Sequence, residues 1–387
     1  MEMGFNRPTI AHGIAVLAGV LTLGLAGTAL AFHNGGVAHC DGCHTMHNSP
    51  ENQTMNYPDH NIHLLRGPDP SSTCLRCHGV DGRSYGVLSS NGQNWSPGGD
   101  FFWLTQTYTT IGHSGPGPQN DPDNKGHNVI AEEFGLTEDA TNTQSPGGTY
   151  DSSDLQCVSC HNPHGQVNGG TEAGQMPISV SGSYGEDPPP GTIAGNYRLL
   201  GSDGYENFTV NAPMAVTQGF DETDAIHPAY GEGVAQWCGT CHEEYVNSGV
   251  KHPAGNATSL EEHAENYNKY VKTGDFTGDQ STAFTALVQF ARRGASKADL
   301  LAAVTSSAGP EFDDYPICLT CHRAHASAFD NITRWDTKEE FLAESQPNAD
   351  QLIEMGALPN SAYYGRVITT EFGEYQRSLC NKCHVQD

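Results

Sequence analysis

One five-residue pattern occurs six times and uses every cysteine in the chain: "CDGCH" at 40–44, "CLRCH" at 74–78, "CVSCH" at 157–161, "CGTCH" at 238–242, "CLTCH" at 318–322 and "CNKCH" at 380–384. C-x-x-C-H is the attachment site of a c-type haem, and the chemistry explains the spacing. Two thiols add across vinyl groups on neighbouring pyrrole rings, and two intervening residues in a single turn bridge that gap. The next residue then lies over the iron, where a neutral imidazole nitrogen donates as the proximal ligand. A zinc ribbon or a thioredoxin-like redox pair needs no histidine directly after the second cysteine, still less six times. A disulfide framework predicts irregular spacings instead. The pattern therefore predicts six covalently bound haems c. Thioethers would come from Cys40, Cys43, Cys74, Cys77, Cys157, Cys160, Cys238, Cys241, Cys318, Cys321, Cys380 and Cys383. Proximal ligands would be His44, His78, His161, His242, His322 and His384.

Residues 1–31 read as an export signal: Arg7, then the apolar run "IAVLAGVLTLGLAG" (14–27), then "ALA" (29–31) as an A-x-A cleavage site. The apolar stretch is short and rich in Gly and Ala, which favours removal over a membrane anchor. Export agrees with the haem reading, because bacterial c-type attachment takes place outside the cytoplasmic membrane. The remainder, 32–387, is expected to form a single hexahaem domain with no later membrane span.

Glycine is abundant, at 45 residues, alongside 22 prolines. Haems are large, flat and apolar, so they supply core that side chains otherwise would. Thioether and iron bonds tie loops together as disulfides and metals do in small proteins. The expected fold is thus a multihaem cytochrome c of mostly loops and turns with few short helices, wrapped around a linear chain of six haems. The formal net charge of −27 comes without a basic cluster, which argues against nucleic acid and anionic membrane surfaces as partners.

The pentads are separated by 34, 83, 81, 80 and 62 residues, with no repeat of sequence between them. Segments 90–100, 113–128 and 181–192 read as loops. "GGDFFWLTQTYTT" (98–110) has the aromatic and β-branched content of a short strand. Helix is expected between 259 and 306, opened by a capping box of Ser259 and Glu262. Within it, Phe284, Leu287, Val288 and Ala291, then Leu300, Leu301 and Val304, recur at helical spacing. A second short helix is expected at "DTKEEFLAE" (336–344).

The ligand on the other side of each iron decides the function. Methionine raises the potential, histidine keeps it low, and an open position permits substrate chemistry. Outside the signal and the pentads stand twelve histidines: His33, His39, His47, His60, His63, His113, His127, His164, His227, His252, His263 and His325. That is ample for six bis-histidine haems. "CHTMH", "CHNPH" and "CHRAH" place His47, His164 and His325 three residues after a proximal histidine. Three residues span at most roughly 10 Å, too little to round a porphyrin edge and return on the far face. Each second histidine must therefore serve a different haem, pinning two haems close together.

Several blocks carry a more specific resemblance: "FHNGGVAHCDGCHTMHNSP" (32–50), "GGDFFWLTQTYT" (98–109), "KGHN" (125–128), "PGGTYDSSDLQCVSCHNPHG" (146–165), "KHPAGN" (251–256), "CLTCHRAHASAFD" (318–330), "AYYGR" (362–366) and "YQRSLCNKCH" (375–384). In these the chain resembles the OmcS-type outer-surface hexahaem cytochromes, which polymerise into extracellular nanowires. The resemblance implies distal ligands His33, His47, His127, His164, His252 and His325. It also implies a head-to-tail homopolymer in which His47 binds the iron held by His322 in the neighbouring copy. His60, His63 and His113 fall in loops outside the matching blocks.

The leading function is extracellular electron transfer along a cytochrome filament, exported through the periplasm to the outer surface. The partners would be further copies of the chain, other redox cytochromes and extracellular acceptors. A soluble periplasmic multihaem shuttle shares every haem feature and differs only in lacking the His47 joint. A multihaem reductase of a small oxyanion would signal its catalytic haem by a variant pentad, and none of the six departs from C-x-x-C-H. No catalytic residue is assigned.

Overall fold

From the third pentad to the sixth, each closes a single helical turn, with the histidine N–H donating to the carbonyl of the first cysteine. The distances are 2.9 Å for His161 to Cys157, 3.0 Å for His242 to Cys238, 3.0 Å for His322 to Cys318 and 3.0 Å for His384 to Cys380. A turn of this pitch turns both thiols and the imidazole toward one side. The computed structural model describes residues 42–45, 63–79, 86–112, 114–163, 197–218, 220–247 and 252–385. The export segment 1–31 and the loop 181–192 lie outside the described residues.

Regular structure is sparse among these residues. Helix α1 (Pro70–His78) contains the second pentad and is capped by Asp69, whose carboxylate accepts from Ser72 N at 2.6 Å, with Pro70 at the first helical position. The strands β1 (Thr109–Gly112) and β2 (Gly115–Gln119) form one antiparallel hairpin. A second antiparallel pair joins β3 (Ala215–Val216) and β4 (Ala229–Tyr230). Helices α2 (Val234–Cys238) and α3 (Glu243–Asn247) flank the fourth pentad. They are followed by α4 (Glu262–Lys269), α5 (Lys297–Ala303), α6 (Cys318–Cys321), α7 (Ala349–Glu354) and α8 (Ile368–Glu371). Among the described residues no helix is long and apolar enough to cross a membrane.

The apolar side chains collect in three separate clusters. The largest gathers Phe102, Trp103, Leu287, Phe329, Trp335 and Leu342 with others. A second surrounds Tyr197, Tyr230 and Tyr315, and a third surrounds Val216, Leu300 and Val304.

Several sequence expectations are corrected here. The segment 98–110 is mostly not strand: Phe101–Thr105 is a 3-10 helix capped by Asp100, and strand begins only at Thr109. Its partner β2 lies in a stretch expected to be loop. Pro116 and Pro118 each lack a donor, yet the hairpin needs few bonds from them, and Thr110 Oγ1 donates to Pro118 O at 2.8 Å.

Helix α4 forms, but Ser259 does not cap it; Glu261 precedes it with φ 51° and Ser259 Oγ turns to the Glu261 carboxylate. The stripe Phe284, Leu287, Val288 and Ala291 is buried but not helical, because its backbone groups find side-chain partners. Asp224 Oδ1 takes Ala286 N at 2.6 Å, and Tyr267 Oη donates to Val288 O at 2.8 Å. The helix expected at 336–344 reduces to a 3-10 turn at Leu342–Glu344, since the Asp336 carboxylate accepts from Lys338 N and Gln346 N. Helix α5 carries Leu300 and Leu301 as expected and opens on its own capping box, Ser296 with Asp299.

Candidate haem sites

Metal-ligating histidines are oriented by what the second ring nitrogen does. Four proximal histidines donate Nδ1–H to a backbone carbonyl: His44 to His63 O at 2.7 Å, His161 to Arg198 O at 2.9 Å, His242 to Pro146 O at 2.8 Å and His322 to Asn331 O at 2.7 Å. That tautomer leaves Nε2 as a bare lone pair, the form that binds iron.

Three of the four acceptors sit at left-handed kinks made by non-glycine residues. Leu64 has φ 53°, Arg198 and Leu199 have φ 47° and 60°, and Asn331 and Ile332 have φ 55° and 60°. Such backbone is costly for branched side chains and clusters at functional sites. The same loops then pair with the histidine through isolated bridges, His44 with Leu65, His161 with Leu200 and His322 with Thr333. The fourth acceptor belongs to "SPGG" (145–148). Ser145 Oγ donates to Cys241 O at 2.6 Å, and a Cβ on Gly148 would lie 1.8 Å from that same carbonyl. Only glycine allows this approach.

Histidine rings also meet across the fold. Ring centroids lie 6.2 Å apart for His161 and His325, 5.9 Å for His242 and His127, and 6.0 Å for His384 and His252. Two imidazoles on opposite sides of one metal, each bonded at about 2.0 Å, have centroids roughly 6 Å apart. The second histidine of "CHRAH" thus faces the third pentad, not its own. His127 is tied to the same segment: its Nδ1 meets Ala324 O at 2.6 Å and its N–H donates to His325 O at 2.8 Å. Burial pushes the imidazole of His127 down to about 4 and that of His325 down to about 3, so both are held neutral.

His263 also touches His384, but at 4.9 Å, closer than two rings sharing one metal would stand. His227 is buried against Phe284 with both ring nitrogens at backbone carbonyls, a packing role. Among the described residues no second histidine ring faces His322. Cys40, His33, His47 and His164 lie outside the described residues, as do His39, His60 and His113.

The pentads follow one another in space in sequence order. Cys43 lies near Cys74, which lies beside Cys157; Cys160 lies near Cys241; Cys238 lies beside Cys318; and Cys321 lies near Cys380 and Cys383. None of the described cysteines is fully buried, although cysteine is among the most buried residue types. Burial still pushes the Cys160 and Cys321 thiols up to about 12, the opposite of an activated thiolate. Among the described residues no cluster of three or more His, Cys, Asp or Glu can hold a free metal ion.

The residues present fit haem in a further respect. Arg323 Nη2, Arg334 Nη2 and Lys125 Nζ are buried donors without a hydrogen-bond partner. Lys125 is fully buried, with the Tyr108 ring 4.1 Å from its ammonium. Buried cationic donors of this kind call for carboxylates, and haem propionates supply them.

No family model matches the chain. It is 36% identical to the C-type cytochrome OmcS of Geobacter sulfurreducens, over 94% of this chain and 96% of that protein. Two solved structures, the cryo-EM structure of the OmcS nanowires and the Outer Membrane Cytochrome S filament, both from Geobacter sulfurreducens, each match it with a TM-score of 0.78. In both, 36% identity extends over 92% of this chain and the whole of the other. With likeness of sequence and fold along nearly its full length, the chain belongs to the family of the c-type cytochrome OmcS.

Proposed function

We propose that this protein is a subunit of an extracellular cytochrome filament that passes electrons along six haems c. It is an electron carrier rather than an enzyme. Haem iron supplies the one-electron ferric–ferrous couple; the protein sets where each site lies and what faces it. The observation that carries the reading is the unbroken order of pentads, first to sixth, with thiols of successive pentads lying near one another. An ordered row suits conduction, whereas an enzyme needs only one reacting centre.

The axial assignment follows from the ring pairs: His325 for the third site, His127 for the fourth and His252 for the sixth. His33, His47 and His164 complete the set, with His47 reaching the site of His322 in a neighbouring copy. The likeness to solved OmcS filaments supports that joint. The segment 1–31 is a removed export signal and 32–387 one hexahaem unit. Negative-stain microscopy of the secreted haem protein tests the reading. Polymers of one repeating subunit are expected; isolated particles at all concentrations would favour a soluble shuttle.

A further inference from the structure

One fully buried carboxylate has no part in ligation. Glu222 is 0% exposed, and its Oε1 accepts from Arg334 Nη1 at 2.6 Å and Arg323 Nη1 at 3.0 Å. Gln289 Nε2 lies 3.3 Å from Oε2, and Glu222 N–H donates to Trp95 O at 2.8 Å. Both arginines are almost completely buried, at 2% and 0% side-chain exposure. The Arg323 guanidinium carbon lies over the Tyr364 ring, 3.6 Å from its centroid. The nearby Arg366 is matched by Asp224 at 2.9 Å. The side chains of Glu222, Arg323 and Arg334 alone sum to one net positive charge, before any haem propionate is counted, and all three are buried.

That cluster is bonded to the fifth haem site through the backbone. Arg323 directly follows His322, and Arg334 Nε donates to Leu319 O at 2.7 Å and His322 O at 3.1 Å. Thr333, beside Arg334, bridges to His322. A ferric haem carries one more positive charge than a ferrous haem. Positive charge in a low-dielectric surrounding favours the ferrous form, and a fixed negative charge opposes it.

We propose that Glu222 is a potential-setting residue for the fifth haem: its buried carboxylate offsets one of two arginines and holds that haem at a lower potential than the arginines alone would impose. This rests on haem attachment at "CLTCH" and not on filament assembly. Like-charge repulsion between the two guanidinia would also rise without it; the opposite shift expected of Arg323→Gln and the rescue by Glu222→Asp separate charge from lost stability.

The test is spectroelectrochemical titration of the purified hexahaem protein carrying Glu222→Gln, which keeps shape and hydrogen-bonding reach while removing charge. One of the six components should shift to higher potential while five superimpose on wild type. Glu222→Asp should return that component toward its wild-type position. Arg323→Gln, which removes positive charge from the same cluster, should move the same component downward. Superimposable curves for Glu222→Gln and Arg323→Gln, or a uniform shift of all six components, would overturn the proposal. Wild type and variants are compared in the same state of assembly, because the ligand set of the fifth haem itself affects its potential. A null result there leaves the microscopy of the filament untouched, so the two failures are distinct.

Discussion

His325 stands opposite His161 with ring centroids 6.2 Å apart, while the chain from His322 to His325 is only one turn long. One short segment thus takes part in two different pentads, the fifth through His322 and the third through the ring of His325. Gly98 makes the contact possible: a Cβ there would lie 2.8 Å from His325 Nδ1, and Phe101 stacks on the ring's side at 5.0 Å.

Gly98→Ala should therefore push His325 out of line with His161. The expected result is a weakened axial bond at one haem of the six, read as partial loss of low-spin signal by electron paramagnetic resonance. The overpacking strain should cost about 1–3 kcal/mol of stability. An unchanged spectrum would mean that the glycine is not shaping this site.

At the sixth site two histidines compete for assignment. His252→Met should raise the potential of one haem, because thioether replaces imidazole as ligand. His263→Met should leave that component with histidine ligation and a spectrum close to wild type. The reverse outcome in a paired redox titration would reassign the ligand to His263.

Gly148→Ala tests the seat of the fourth pentad. With the added carbon 1.8 Å from Cys241 O, the "SPGG" turn must withdraw, and Pro146 O with it, from His242 Nδ1. Outer-shell partners of this kind typically govern affinity by about 10–100-fold. The prediction is a hexahaem protein that loses its fourth haem's ligation first on mild denaturation, followed by absorbance in the haem band.

Acid stability has a defined sign. An unfolded histidine takes up its proton near pH ~6.5. Buried His127 and His325 resist until about 4 and about 3. Between those values the unfolded chain binds more protons, so stability should fall as pH drops through that window, by at most ~1.4 kcal/mol per pH unit for each histidine. Iron ligation acts in the same direction. Denaturant midpoints measured from pH 7 to pH 4 should decline steadily; a flat profile would contradict neutral, enclosed imidazoles.

How much of this was legible in the residues follows from how local each signal is. The pentads announced their chemistry because thioether spacing is a property of five adjacent residues. Loop-rich architecture followed from glycine and from haem as substitute core. The stripe at 284–291 was a true record of burial but a false one of helix, because Asp224 and Tyr267, distant in sequence, satisfy its backbone. Axial pairings were invisible for the same reason: His161 finds His325 only after the chain has folded. The left-handed kinks at Leu64, Arg198, Leu199, Asn331 and Ile332 carry no glycine to mark them. The similar strings "HLLRG" (63–67) and "YRLLG" (197–201) were the available clue.

The account turns on a histidine near the amino end completing the neighbour's fifth site. Purified His47→Ala protein, imaged by electron microscopy and probed for carbon monoxide binding in the reduced state, measures this directly. The account predicts unpolymerised subunits in which one haem of six binds carbon monoxide. Filaments of normal length with no carbon monoxide binding would contradict it.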